Sequence, residues 1–190
     1  MTAPRIQKFS SRLLGDATGW RAAARVAAEG VEGGSVAVVS LPAGIRSGLA
    51  AALGAAGRGE GEAAAAGCRR VEEDLHSLAR NLGLGAGLPP AAEPLLTRLS
   101  ELVHGACLVG HASPRTRDAV LGLAGGLSAV LFTALLGARG ARARAACGLP
   151  AAAGPHGAAR PLSATPWTDL PSPGEILVLP GGFGVGADGA

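Results

Sequence analysis

Apolar residues follow two periodicities along this chain, and the switching between them sets the fold expectation. Arg5-Ile-Gln-Lys-Phe9 is a short alternating run and reads as a strand. Ser35-Val-Ala-Val-Val-Ser40 and Glu175-Ile-Leu-Val-Leu179 are continuous apolar runs, the pattern of strands covered on both faces. Residues 142–147 form a weaker strand candidate. Between these runs the spacing changes to three and four. Asp16, after Gly15, predicts an N-cap for a helix over 17–29, with Trp20, Ala23, Ala24 and Ala27 on one face. Glu32-Gly-Gly34 breaks that helix. Residues 41–44 read as a loop, with helix resuming near Ser47, and the Ala/Gly/Glu-rich stretch 54–67 reads as a loose helix end or exposed loop. Val71, Leu75, Leu78 and Leu82 predict a helix over 69–82, and 83–90 breaks it. Leu95, Leu96, Leu99, Leu102 and Val103 form the apolar stripe of a helix over 95–109. Ser113-Pro114 is a strong helix start, and 151–161 reads as a loop. Strands alternating with helices predict an α/β domain: a mainly parallel sheet in a three-layer αβα sandwich.

One segment carries a second meaning. Residues 119–138 hold no charge and are long enough to cross a bilayer, with Gly122 and Gly126 at the spacing of packed membrane helices. The glycine content and the missing aromatic anchors favour a central helix buried in a soluble domain, with no membrane partner.

Composition narrows the function classes. The 190 residues allow one domain spanning 1–190, and 48% hydrophobic with 16% charged residues supports a sizeable core. Aromatics at 3%, with no tyrosine, argue against a base-stacking platform. The net charge of +3 comes from scattered residues, so no nucleic-acid partner is expected. Seventeen basic residues include one lysine, Lys8, so either coding bias excludes lysine or this position needs a compact ammonium. The amino end shows no secretory pattern, and Cys68, Cys107 and Cys147 read as reduced, mostly buried thiols of a cytoplasmic protein. The four histidines lack zinc spacing, so no metal site is expected.

Gly184-x-Gly186-x-x-Gly189 follows a strand candidate, yet no helix can open inside it, so it fails as a dinucleotide fingerprint. There is no Walker-type phosphate loop and no Gly-x-Ser-x-Gly elbow. Glu72-Glu73-Asp74 reads as a solvated helix face. Lys8, Ser10 and Ser11 end the first strand, and Ser40 ends the second. In open α/β sheets ligands gather at such strand ends. A lysine there can neutralise a transferring phosphoryl group.

The same residues resemble the aspartate kinases of the amino-acid kinase family. Lys8-Phe9-Ser-Ser-Arg-Leu-Leu-Gly15-Asp16-Ala-Thr-Gly-Trp20 is similar to their opening Lys-Phe-Gly-Gly segment. Val38-Val-Ser40-Leu-Pro-Ala43-Gly44-Ile45 resembles their Val-Val-Ser-Ala-x-Ala-Gly-Val-Thr loop. The segment from Ser113 through Leu127-Ser128-Ala129 resembles their Ser-Phe-Gly-Glu-x-Leu-Ser-Ala helix. His156-Gly-Ala-Ala-Arg160 and Leu179-Pro-Gly-Gly-Phe-Gly184 resemble two further motifs, in the family's order.

The resemblance implies the amino-acid kinase fold and transfer of the ATP γ-phosphoryl group to the aspartate side-chain carboxylate, with Mg2+. It implies that Lys8 is the catalytic, phosphate-stabilising lysine. Ser10 and Ser11 would flank phosphate, and Ser40, Gly44 and Arg46 would lie in the substrate loop. The departures are also specific. Ser10 and Ser11 replace two glycines, Arg46 replaces a hydroxyl residue, and Gly125 stands where the family has its substrate-binding Glu. The family's nucleotide-binding half and regulatory domains would fall beyond residue 190. These departures imply impaired catalysis, because phosphoryl transfer is mostly positioning and electrostatics. Three readings result. One is a non-catalytic interaction or regulatory subunit with a protein partner or a second copy. Another is an amino-acid kinase with an altered acceptor, or one completed by a partner chain. The last is a decayed gene product.

Overall fold

The computed structural model describes residues 5–29, 31–85, 87–146, 149–153, 159–161, 170–181 and 184–185. Four strands form one all-parallel sheet: β1 (Arg5–Phe9), β2 (Ser35–Val39), β3 (Arg142–Ala145) and β6 (Glu175–Pro180), in the spatial order β1-β2-β6-β3. The register pairs Arg5 with Ser35, Ser35 with Ile176, and Arg142 with Glu175. Three short strands, β4 (Leu149–Ala153), β5 (Ala159–Pro161) and β7 (Gly184–Val185), form a second sheet in the order β5-β4-β7. Residues 151–153 and 159–161 thus hold strand where the sequence reads as loop. Ala-rich segments give no periodic signal, so pairing decides their conformation.

Five helices pack with the larger sheet: α1 (Ala17–Ala28), α2 (Ala43–Ala56), α3 (Gly61–Leu82), α4 (Glu93–Val109) and α5 (Pro114–Gly137). The cap expectations hold. Asp16 Oδ1 accepts from Gly19 N at 2.8 Å, and Ser113 Oγ accepts from Thr116 N at 3.1 Å. The face expected on α1 is the buried one, with Trp20, Ala23, Ala24 and Ala27. Glu72, Glu73 and Asp74 lie exposed on α3.

Two expectations are corrected. Helix α2 begins at Ala43, four residues before Ser47, because Ile45, Leu49, Ala52 and Leu53 make one buried stripe that includes its first turn. Residues 54–67 are helical except for a break at 57–60, where Gly59 adopts φ +73. The small residues serve close packing: a Cβ on Gly67 would meet Ala52 Cβ at 2.8 Å, and one on Gly48 would meet Val71 Cγ2 at 3.0 Å. The composition that resembles a loose loop is the contact between α2 and α3.

The main core lies on one face of the sheet. Phe9, Trp20, Leu49, Leu75, Leu99, Leu127, Phe132, Ile176 and Val178 belong to one buried cluster drawn from all five helices. Phe132 of α5 packs against Phe9 (ring centroids 5.6 Å apart) and Trp20 (5.8 Å), and Trp20 Nε1 donates to Leu14 O at 2.9 Å. Burying three aromatics together gives this region its largest apolar contribution. Helix α5 is long and apolar enough to span a membrane, yet 56% of its most apolar window is buried within the protein. On the opposite face Val36, Leu177 and Leu179 form a smaller buried cluster.

Candidate functional site

Parallel strands deliver their carboxyl ends to one rim, and here backbone bonds tie those ends together. Ser40 N donates to Phe9 O at 3.1 Å, and Gly181 N donates to Val39 O at 2.7 Å. Ser10, Ser11, Ser40 and Gly181 therefore line the rim beyond β1, β2 and β6. Of the sequence-derived site residues, Lys8, Ser10 and Ser40 are brought to this rim by strand pairing.

Alternation along β1 decides where each side chain goes. Gln7 and Phe9 face the helix-covered core, whereas Ile6 and Lys8 leave from the other face. Ile6 and Phe9, three positions apart, cannot share a face, so the apolar alternation read from this run is corrected: its inward partner to Phe9 is Gln7. Lys8 is exposed, in the row Lys8–Val38–Leu179. An ammonium here is solvated and able to meet an anion above the rim.

The serines are engaged differently. Ser10 Oγ accepts from Leu13 N at 3.3 Å and Ser10 O accepts from Leu14 N at 3.1 Å, so this residue closes the turn that follows β1. Ser11 and Ser40 are half-buried. Helix α2 starts beyond Pro42 with no side-chain cap, and its first helical bond runs from Arg46 N to Pro42 O at 3.1 Å. The N–H groups of Ala43, Gly44 and Ile45 precede that bond and are left to solvent or a ligand. A Cβ on Gly44 would meet nothing within 4 Å, so the space above this backbone is open. The open turn and its dipole favour an anion. Arg46 is exposed on the same turn. Helix α2 belongs to the layer on the Phe9 face, so Lys8 and the α2 start approach the rim from opposite faces of the sheet.

Sequence reasoning missed Gly19. A Cβ there would fall 1.7 Å from Leu13 O, so only glycine lets α1 pass under the turn that leads from β1. The Gly15-to-Trp20 segment therefore works structurally, through the Asp16 cap, the bare Gly19 and the Trp20 bond to Leu14 O. Gly125, where the resemblance puts the family's Glu, is buried in α5 and carries no side chain to offer, and a Cβ on Gly126 would meet Leu95 Cδ1 at 3.4 Å.

Other chemistry lies away from the rim. A cavity of about 830 Å³ between α3 and α4 is lined by His76, His104, Glu72, Glu93 and Leu96 among others. Among the described residues no three His, Cys, Asp or Glu side chains converge to hold a metal ion. Cys68 and Cys107 are free thiols, both half-buried, and burial pushes the Cys68 thiol upward from its ordinary value. Cys147, residues 156–158 and residues 186–189 of the glycine-rich pattern lie outside the described residues.

No protein-family model and no curated protein matches the chain. Solved structures do. Aspartokinase III of E. coli, in complex with aspartate and ADP (R-state), superposes with a TM-score of 0.75 at 19% sequence identity. The same enzyme in complex with lysine and aspartate (T-state) gives the same TM-score and identity. Each match covers 98% of this chain and 42% of the aspartokinase chain, so the chain spans less than half the length of these neighbours. At this identity the likeness concerns the fold: the chain has an aspartokinase-like α/β fold of the amino-acid kinase type, built on an all-parallel four-stranded sheet.

Proposed function

We propose that these 190 residues are an aspartate-kinase-like unit that does not transfer phosphoryl groups by itself and acts in the cytoplasm as an interaction or regulatory subunit of a protein partner. The observation that carries this reading is the mismatch between rim and core. The rim keeps an exposed Lys8 on one face of the sheet and an uncapped, open α2 start on the other, while Gly125 offers no acceptor-binding carboxylate.

The residues fit the phosphates of ATP better than they fit the rest of the reaction. Lys8 and the first turn of α2 would face phosphate oxygens, and Ser11 and Ser40 would lie beside them. Mg2+ would arrive with the nucleotide, whose phosphates supply its oxygen ligands. Magnitudes set the limit. A dissociation constant of 1 mM needs about 4 kcal/mol, whereas one exposed charge pair gives about 0.2–1 kcal/mol. One solvated lysine and one helix start leave the complex too weak to position a reaction.

The test is direct. The protein is incubated with ATP, Mg2+ and L-aspartate, and any acyl phosphate is trapped with hydroxylamine. In the family reaction the γ-phosphoryl group would pass from ATP to a side-chain carboxylate oxygen, with ADP leaving. The expected result is no hydroxamate above the protein-free control; hydroxamate in proportion to protein overturns the reading.

Exposed Arg46 at the α2 start supports a second reading: a kinase whose acceptor carries a further negative charge. Release of ADP that depends on one amino acid and falls at least tenfold in Arg46→Ala would establish it. No such dependence on any of the twenty amino acids would end it.

A further inference from the structure

The cavity between α3 and α4 is the strongest unassigned feature. Its volume is about 830 Å³, within the range of small-molecule sites. Every lining residue belongs to α3, to the connection at 87–90 or to α4, so the walls are built within one stretch of the chain. On α4 the lining positions are Glu93, Leu96, Thr97, Ser100, Glu101 and His104, a spacing of three and four that keeps one helix face along the cavity. From Glu93 to Glu101 that face runs about 12 Å, at a helical rise of about 1.5 Å per residue.

The lining mixes two chemistries. Leu88 and Leu96 are half-buried and pack against the main core, which gives the cavity an apolar floor. Carboxylates stand at intervals around it: Glu93 and Glu101 on α4, and Glu72 on α3. The protein carries a net charge of +3, yet no Arg or Lys lines this cavity. Glu101 meets Arg98 at 3.0 Å and Glu72 meets His76 at 4.0 Å, whereas Glu93 has no ion pair among the described residues.

Charge and shape together select the occupant. Carboxylates spaced along an apolar floor complement a ligand whose cations are spaced along an apolar chain. A bare metal ion is served less well, because no three His, Cys, Asp or Glu side chains converge among the described residues. We propose that this cavity binds an extended aliphatic polyamine, its methylenes over Leu88 and Leu96 and its ammonium groups beside Glu72, Glu93 and Glu101. The site goes beyond the interaction-subunit reading and does not rest on it.

The experiment is calorimetric titration of the full chain with spermidine, with diaminooctane and diaminopropane, and with Mg2+. The two diamines carry the same charge over different spans. Two variants at exposed positions of α4 accompany the parent. Glu93→Gln removes one carboxylate. Thr97→Arg places a cation and a long side chain on the cavity face, and arginine favours helix more than threonine does. Thermal melts of both variants verify that they fold. The expected result is saturable spermidine binding that weakens about tenfold or more in Thr97→Arg and by a smaller factor in Glu93→Gln, with diaminooctane binding about tenfold more tightly than diaminopropane. The proposal is overturned by no saturable spermidine binding, by diaminopropane binding as tightly as diaminooctane, or by Mg2+ displacing spermidine at equal concentration. It is also overturned by either folded variant binding spermidine as well as the parent.

Discussion

Strands β1 and β2 lie side by side in one sheet, and their environments differ sharply. In β2, Ser35, Val36, Ala37 and Val39 are buried, as are all of Ile176 to Pro180 in β6. In β1 only Gln7 and Phe9 are buried, and Ile6 and Lys8 face solvent. The difference teaches that the middle strands of this sheet are interior while its outer strands, β1 and β3, are partly exposed, with the candidate site where β1 meets β2. The apolar composition of each strand already reports this. Continuous runs become doubly covered strands, and a run carrying Arg5, Gln7 and Lys8 becomes an edge.

Substitutions on the two sides should separate by several kcal/mol. Phe132→Ala removes a fully buried ring that touches both Phe9 and Trp20, and should cost about 3–5 kcal/mol in denaturant unfolding. A cost below 1 kcal/mol would mean the aromatic cluster does not hold β1 to α5. Gly67→Ala should cost about 1–3 kcal/mol, because its Cβ would press on Ala52 between two packed helices. Asp16→Ala should cost about 1 kcal/mol through loss of the bond to Gly19 N. Ile6→Ser, on the open side, should change stability by no more than about 0.5 kcal/mol. A large loss there would show that something covers the edge.

A pH measurement sharpens the same contrast at a thiol. Burial raises the Cys68 pKa, with Arg69 opposing and Glu72 assisting. The raised value favours the neutral thiol, so its contribution to stability is present at neutral pH and fades as alkaline pH ionises the thiol. Iodoacetamide labelling near pH 8 should therefore be slower at Cys68 in the folded protein than in the unfolded chain. Equal rates would place that side chain in solvent.

Much of the fold was legible in the sequence because local signals and packing agreed. Asp16 and Ser113 cap the helices they were expected to cap, the stripe of α1 is buried, and the stripes of α3 and α4 are buried at Val71, Leu75, Leu82, Leu99 and Val103 and half-buried against the core at Leu78, Leu95, Leu96 and Leu102. Legibility failed where small residues carried the meaning. The glycines and alanines of 54–67 read as loop because their role, close approach of α2 to α3, exists only between elements. The candidate site was legible in part. Lys8 and Ser40 could be placed at strand ends from periodicity alone. The face from which Lys8 leaves needed the register with β2, and the structural role of Gly19 needed the turn folded above it.

The central claim is that a solvated lysine and an open helix start do not by themselves make a working nucleotide site. Calorimetric titration of the protein and of Lys8→Ala with ATP and Mg2+ tests it most directly. The account predicts no saturable binding by either protein up to millimolar nucleotide. Saturable binding by the parent that disappears in Lys8→Ala would contradict it.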